Sequence, residues 1–120
     1  MHAETLETIR EAIRKRRQLV FMYDGYPRDF CPHAIGTKRD EWHVFGWQFG
    51  GDSSHGLDPN GQNWRCLNVD RIQSLSVSDG EWHRGWTKGM KPSSCIDVMD
   101  TVVDPAFAAV DRQTLLERIR

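Results

Sequence analysis

The chain is short of cysteine, of long apolar runs and of net charge, and each shortage excludes something. Only three cysteines, Cys31, Cys66 and Cys95, occur in 120 residues. An odd, sparse count with no close pair gives no disulfide framework, and it predicts three small buried thiols in a reducing, intracellular setting. The opening residues "MHAETLETIREAIRKRR" contain no apolar segment of the secretory type, and no later run approaches a membrane span. The expected location is therefore cytoplasmic. The formal net charge is -1, so no global field draws the chain to nucleic acid or to an anionic membrane. Any anion-binding role must come from a local cluster. Internal repeats and low-complexity tracts are also missing.

What is present is a globular composition, with 38% apolar and 28% charged residues. That suits one compact domain with a thin core. Leu6, Ile9 and Ile13 fall on one stripe and predict a helix over 4–17, acidic at its start and basic at its end. "QLVFMY" then reads as a strand, Asp24-Gly25 as a tight turn and "RDFC" as the returning strand. Pro32 bends or breaks that strand, and "HAIGT" offers a further short one. "WHVFGWQF" is the strongest strand, with Trp42 and Val44 on one face and His43, Phe45, Trp47 and Phe49 on the other.

Residues 50–63, "GGDSSHGLDPNGQN", form a loop longer than most in compact domains. It fails as a P-loop because it lacks the required lysine and opens no helix. Ser53, Ser54 and backbone amides remain a candidate anion-binding loop. "WRCLNV" and "SLSV" resume as strands, the latter with Leu75 and Val77 inward. In the tail, "CIDVMDTVVD" reads as a strand or an extended arm. Asp104-Pro105 starts a short helix whose Leu115, Leu116 and Ile119 seek a partner surface. A helix followed by about five short strands predicts an α+β fold built on a small barrel, which removes the exposed edges.

Alternation sets Arg65 beside Leu67 and Val69, opposite Trp64 and Cys66. An arginine on an apolar face needs a partner: an acid such as Asp29, carbonyls, or an anionic ligand that its fork can grip. Arg71 follows Asp70 in a turn and reads as scaffold. Cys31 and His33 share a face, but the second close pair of a structural zinc site is missing, so no metal or other cofactor is expected. A Cys66-based triad has no supporting signature, and no catalysis is expected. Trp82 and Trp86 would either seal the barrel or stack bases.

The order "LETIREAIRKRRQLVFMYDG", "RDFCPHAIG", "EWHVFGWQ" and "WRCLNVDRIQSLSV" resembles the WYL domain family over residues 4–79. The matching positions are Tyr23, Arg28 before Pro32, the triplet Trp42-His43-Val44 with Gly46, and the closing segment Arg65 to Ile72. The resemblance implies a leading helix and a five-stranded Sm-like, SH3-like barrel; it leaves residues 80–120 unaccounted for, and these are expected to form an extension on the barrel or on a partner. It also implies a ligand-sensing module of bacterial and phage transcription regulation that takes nucleotides, short single-stranded nucleic acid or related anions. With His33 and His43 expected to face one cleft near Arg28 and Tyr23, the expected ligand-binding set is Tyr23, Arg28, His33, Trp42, His43, Arg65 and Arg71. This chain departs from the family pattern at His43, where the triplet has tyrosine, and at Val44, where it has leucine. Only one helix fits before Gln18, so direct operator reading by a preceding helix-turn-helix is not expected. The competing expectation is a protein-interaction or oligomerisation subunit acting through the extension.

Overall fold

A computed structural model describes residues 3–52, 63–83 and 95–103. Helix α1 (Ala3–Lys15) is followed by strands β1 (Gln18–Tyr23), β2 (Tyr26–Lys38), β3 (Glu41–Gly51) and β4 (Trp64–Asn68). A 3-10 turn (Val69–Arg71), β5 (Gln73–Ser78) and β6 (Val98–Val102) complete the order.

Helix α1 buries Leu6, Ile9, Ala12 and Ile13, the stripe that the apolar spacing demands. It ends in a left-handed cap at Arg16, whose φ is +53°. There the Arg17 N–H donates to the Ala12 carbonyl at 2.8 Å, and the Arg16 N–H to the Ile13 carbonyl at 3.3 Å. Both tight hairpins use two residues of positive φ: Asp24-Gly25 between β1 and β2, and Arg39-Asp40 between β2 and β3. That conformation matches the natural twist of paired strands.

All pairings are antiparallel, in the order β4-β3-β2-β1-β5, with β6 added to β2. The hinge of the sheet is His33. Pro32 pairs with Gly46 and Ala34 with Phe45, so His33 is the extra residue of a bulge. Before the bulge β2 pairs with β1, and after it with β6. The bulge also resets the alternation, so that Phe30 and Ile35, five positions apart, enter the same core. "RDFC" and "HAIGT" are thus halves of one strand.

The inner face packs α1 against Leu19, Phe21, Tyr23, Phe30, Ile35, Val44, Leu67 and Val69. A smaller outer cluster holds Ala34, Phe45, Cys95 and Ile96, with Trp64, Met99 and Val102 against it. Gly46 matters because a β-carbon there would overlap the Cys31 carbonyl and the Phe30 ring. The ring of Phe30 lies where that side chain would be.

Several sequence expectations change here. The sheet is open, not a closed barrel: β4 and β5 are joined through the 3-10 turn, but no pairing between them closes the ring among the described residues. The tail supplies a sixth strand, β6. Leu75 packs on the core, but Val77 stays exposed, because β5 ends the sheet with no layer beyond it. Two of the three cysteines are not thiols. Cys66 of β4 is bonded to Cys95, with Cα atoms 5.7 Å apart. The spacing of 29 residues hides this contact, which arises only because the tail returns to the outer face of the sheet. A closure of that length removes roughly 3–4 kcal/mol of unfolded-chain entropy. Cys31 is free and buried, as expected. The tail helix beginning at Asp104, with Leu115, Leu116 and Ile119, lies outside the described residues, as do Ser53, Ser54 and Trp86.

Two outcomes follow. Gly46→Ala forces the Phe30 ring or the β2 backbone aside and should cost about 1–3 kcal/mol, read as a lower midpoint in urea. An unchanged midpoint would mean that the ring has room to move. The second outcome concerns Asp100 on β6, which binds Arg10 of α1 at 2.8 and 3.2 Å. The Arg10 hydrogen bond holds the Asp100 carboxyl below its ordinary range. Its stabilisation is therefore complete above that range and lost as pH falls from it through the lowered folded value. Asp100→Asn should cost about 0.5–1 kcal/mol near neutrality and flatten the acid limb of the stability–pH curve. An unaltered acid limb would show that the pair does not tie α1 to β6.

Candidate functional site

Tyr23 closes β1, and its ring is buried at the end of the core. Its hydroxyl accepts a hydrogen bond from the Asn68 backbone N–H at 3.0 Å, which ties β1 to the end of β4. Two guanidinium groups lie over the ring, Arg28 at 5.3 Å and Arg71 at 4.9 Å from its centre.

Arg28 points inward from β2, in the same alternation as Phe30, and is only 4% exposed. One terminal nitrogen donates to Gln48 Oε1 at 3.1 Å and the other to the Tyr23 carbonyl at 3.2 Å. Its Nε–H is buried and meets no acceptor. Among the described residues no carboxylate pairs with it. Burial pushes the Arg28 pKa down, and the nearby positive charge of Arg65 pushes it the same way. Asp24 and Asp52 oppose this from a greater reach than an ion pair. The result is a desolvated cation held by neutral acceptors, which is an expensive arrangement unless an anion completes it.

Gln48 holds this end of the sheet together. It is fully buried, on the same face of β3 as Val44. Its Oε1 faces Arg28, while its amide nitrogen donates to the carbonyls of Gly50 (3.1 Å) and Asp52 (2.9 Å). Its backbone N–H donates to the Asn63 carbonyl at 3.0 Å. One residue therefore ties together Arg28, Gly50, Asp52 and Asn63.

Arg65 sits opposite Gly46 in the β3–β4 pairing, on the inner face with Leu67. It is half-buried, and one of its contacts is a long donation to the Trp64 carbonyl at 3.5 Å. Arg71 is exposed at the end of the 3-10 turn, and its guanidinium bonds Asp24 in the first hairpin. That turn is itself capped by Asn68, whose Oδ1 accepts from the Asp70 N–H at 2.9 Å.

Four of the seven residues singled out in the sequence therefore share one end of the sheet: Tyr23, Arg28, Arg65 and Arg71. The other three stand elsewhere. His33 is buried in the bulge, with Nδ1 2.8 Å from the Cys31 carbonyl and its ring between those of Trp64 and Trp82, 4.9 Å from each. Trp42 packs on the core below the Arg10 guanidinium, 5.4 Å away. His43 faces outward on β3, with Nδ1 3.2 Å from the Glu41 carbonyl. Sequence reasoning missed Gln48, Asn68 and Asp24. Gln48 had a legible signal, since alternation from Trp42 and Val44 sends position 48 inward, where an amide needs partners.

No group of three or more His, Cys, Asp or Glu suited to an ion occurs among the described residues. The Cys31 sulfur accepts from the His83 N–H at 3.4 Å. What the Tyr23 end of the sheet concentrates is positive charge, with Arg28 and Arg71 over one tyrosine ring and Arg65 near Arg28.

No curated protein matches the chain. Among solved structures it is similar to proteasome accessory factor B/C (PafBC) of Arthrobacter aurescens, at 14% identity and a TM-score of 0.52. That match covers 72% of this chain and 14% of the other, so it speaks for the fold of one domain within a much longer protein. The WYL domain family model matches residues 4–77, from α1 through most of β5. By that match the chain belongs to the WYL domain family.

Proposed function

We propose that this chain is a regulatory, non-catalytic ligand-binding module whose anion site is the arginine cluster around Tyr23. The observation that carries the reading is the buried Arg28 guanidinium, with its bare Nε–H and no carboxylate among the described residues. Arg65 adds a second positive charge close enough to depress the Arg28 pKa. Two cations are brought together at a cost, and a phosphate or carboxylate would offset that cost. Arg71, already bonded to Asp24, supplies the rim.

The class of ligand we infer is a phosphate-bearing one: a nucleotide or a short single strand. Tyr23 already carries two guanidinium groups over its ring, so recognition there rests on charge and not on a stacked base. Regulation is the usual role of WYL domains, and transcription regulation in a bacterial cytoplasm fits this reading. No helix among the described residues is long and apolar enough to cross a membrane. The competing role for the extension, docking a partner, draws no support from residues 95–103, where β6 bonds to β2 of the same chain.

The test is fluorescence anisotropy with a labelled oligothymidine and with nucleoside triphosphates as competitors, across a salt series. Two or three neutralised phosphates should give a log–log salt slope of about −0.7 for each phosphate. Arg65→Gln should weaken binding about 5- to 10-fold and reduce the slope by about 0.7. Arg71→Gln, at the rim, should weaken it less. Absence of binding at low salt with millimolar nucleotide would refute the reading.

A further inference from the structure

The Cys66–Cys95 bond lies outside everything argued so far about the arginine cluster, yet it touches the strand that carries part of it. β4 has only five residues and is an edge strand, paired among the described residues with β3 alone. On its inner face it carries Arg65. At its end, Asn68 donates to Tyr23 and caps the turn that carries Arg71. Two of the three arginines therefore depend on where β4 sits. On the outer face, β4 is held by the stack of Trp64 on Phe45, with ring centres 4.8 Å apart, and by the disulfide. The bond reaches Cys95, which is buried beside Ile96 just before β6.

The two sulfur-bearing residues are unequal. Cys66 is exposed, while Cys95 is 4% exposed. A bond that is open on one side invites attack at that side. In the cytoplasmic setting we propose, a disulfide is more often a sensor than a staple. Cys31 takes no part: it is fully buried, and burial pushes its thiol up to about 11, so it supplies no resolving thiolate.

We propose that the Cys66–Cys95 disulfide is a redox clasp that regulates the arginine site through β4. This rests on the anion-site reading for its consequence, but not for its chemistry. A thiolate of an external dithiol attacks Cys66 Sγ, forms a mixed disulfide there and expels Cys95 as a thiolate, which takes a proton. The second thiol of the reductant then attacks its own mixed-disulfide sulfur and releases Cys66, which is also protonated. In sum, two electrons and two protons pass to the clasp, and the dithiol leaves as its disulfide. The same couple run backwards closes the clasp. In the closed form β4 is fixed from both faces, and Arg65 and the Asn68 cap are held in place. In the open form the β3 pairing, the Asn68–Tyr23 bond and the Trp64 ring contacts remain, but the covalent tie on the outer face is gone.

The experiment compares the full chain as purified in air with the same chain after dithiothreitol. Counting thiols in denaturant should give one per chain before reduction and three after. Hydrogen exchange should then quicken at the β4 amides and at the Asn68 N–H, with β1 and β2 amides unchanged. Oligothymidine affinity should fall by at least about 5-fold on reduction. Cys31→Ala should keep this response, and the double variant Cys66→Ser, Cys95→Ser should behave like the reduced protein in both conditions. Three thiols before reduction, or equal β4 exchange in the two forms, would overturn the clasp. Failure of both forms to bind would instead remove the anion-site reading, and the exchange difference alone would then uphold or sink the clasp.

Discussion

A cation sealed between neutral acceptors is the constraint around which this end of the molecule is arranged. Arg28 gives up its hydration to face Gln48 and the Tyr23 carbonyl. Neither acceptor carries charge, so the cost of burial is met only in part. Gln48 must then be buried as well, and its remaining hydrogen-bonding capacity is used on Gly50 and Asp52. Tyr23 must offer its ring to two guanidinium groups and its hydroxyl to Asn68. A strand end, a loop base and a 3-10 turn are thereby organised around one positive charge.

The sheet delivers these groups through its irregularities. The bulge at His33 lets a single long strand serve two neighbours and keeps Phe30 and Ile35 in one core. Gly46 makes room for the Phe30 ring beside β3 and leaves Arg65 opposite a residue with no side chain. Two apolar layers result, one beneath α1 and one beneath the returning tail. The disulfide belongs to the second layer and the arginines to the first, and β4 carries both Cys66 and Arg65.

Local chemistry made much of this legible in the sequence. The apolar stripe of α1, the Asp24-Gly25 hairpin and the alternation that turned Arg65 inward all depend on neighbours in the chain, and the structure has them. Tyr23, Arg28, Arg65 and Arg71 stood together in the family pattern and share one end of the sheet. What failed depends on long-range closure. Nothing near Cys66 announces Cys95, and nothing in "SLSV" says that Val77 lies at the last strand of an open sheet. His33 read as a site residue because it was expected to face one cleft with His43, near Arg28 and Tyr23. Its place in a bulge, between two tryptophans, is a tertiary fact. Gln48 was overlooked for the opposite reason: an amide in a strand draws no notice until its face is known to be buried.

The most direct measurement is of the Arg28 Nε–H itself, by proton–nitrogen correlation at the arginine side chains during titration with a nucleoside triphosphate. The account predicts that this one resonance moves downfield and gains protection from exchange with solvent as the anion arrives. A resonance that stays in place while the nucleotide binds elsewhere on the protein would contradict it.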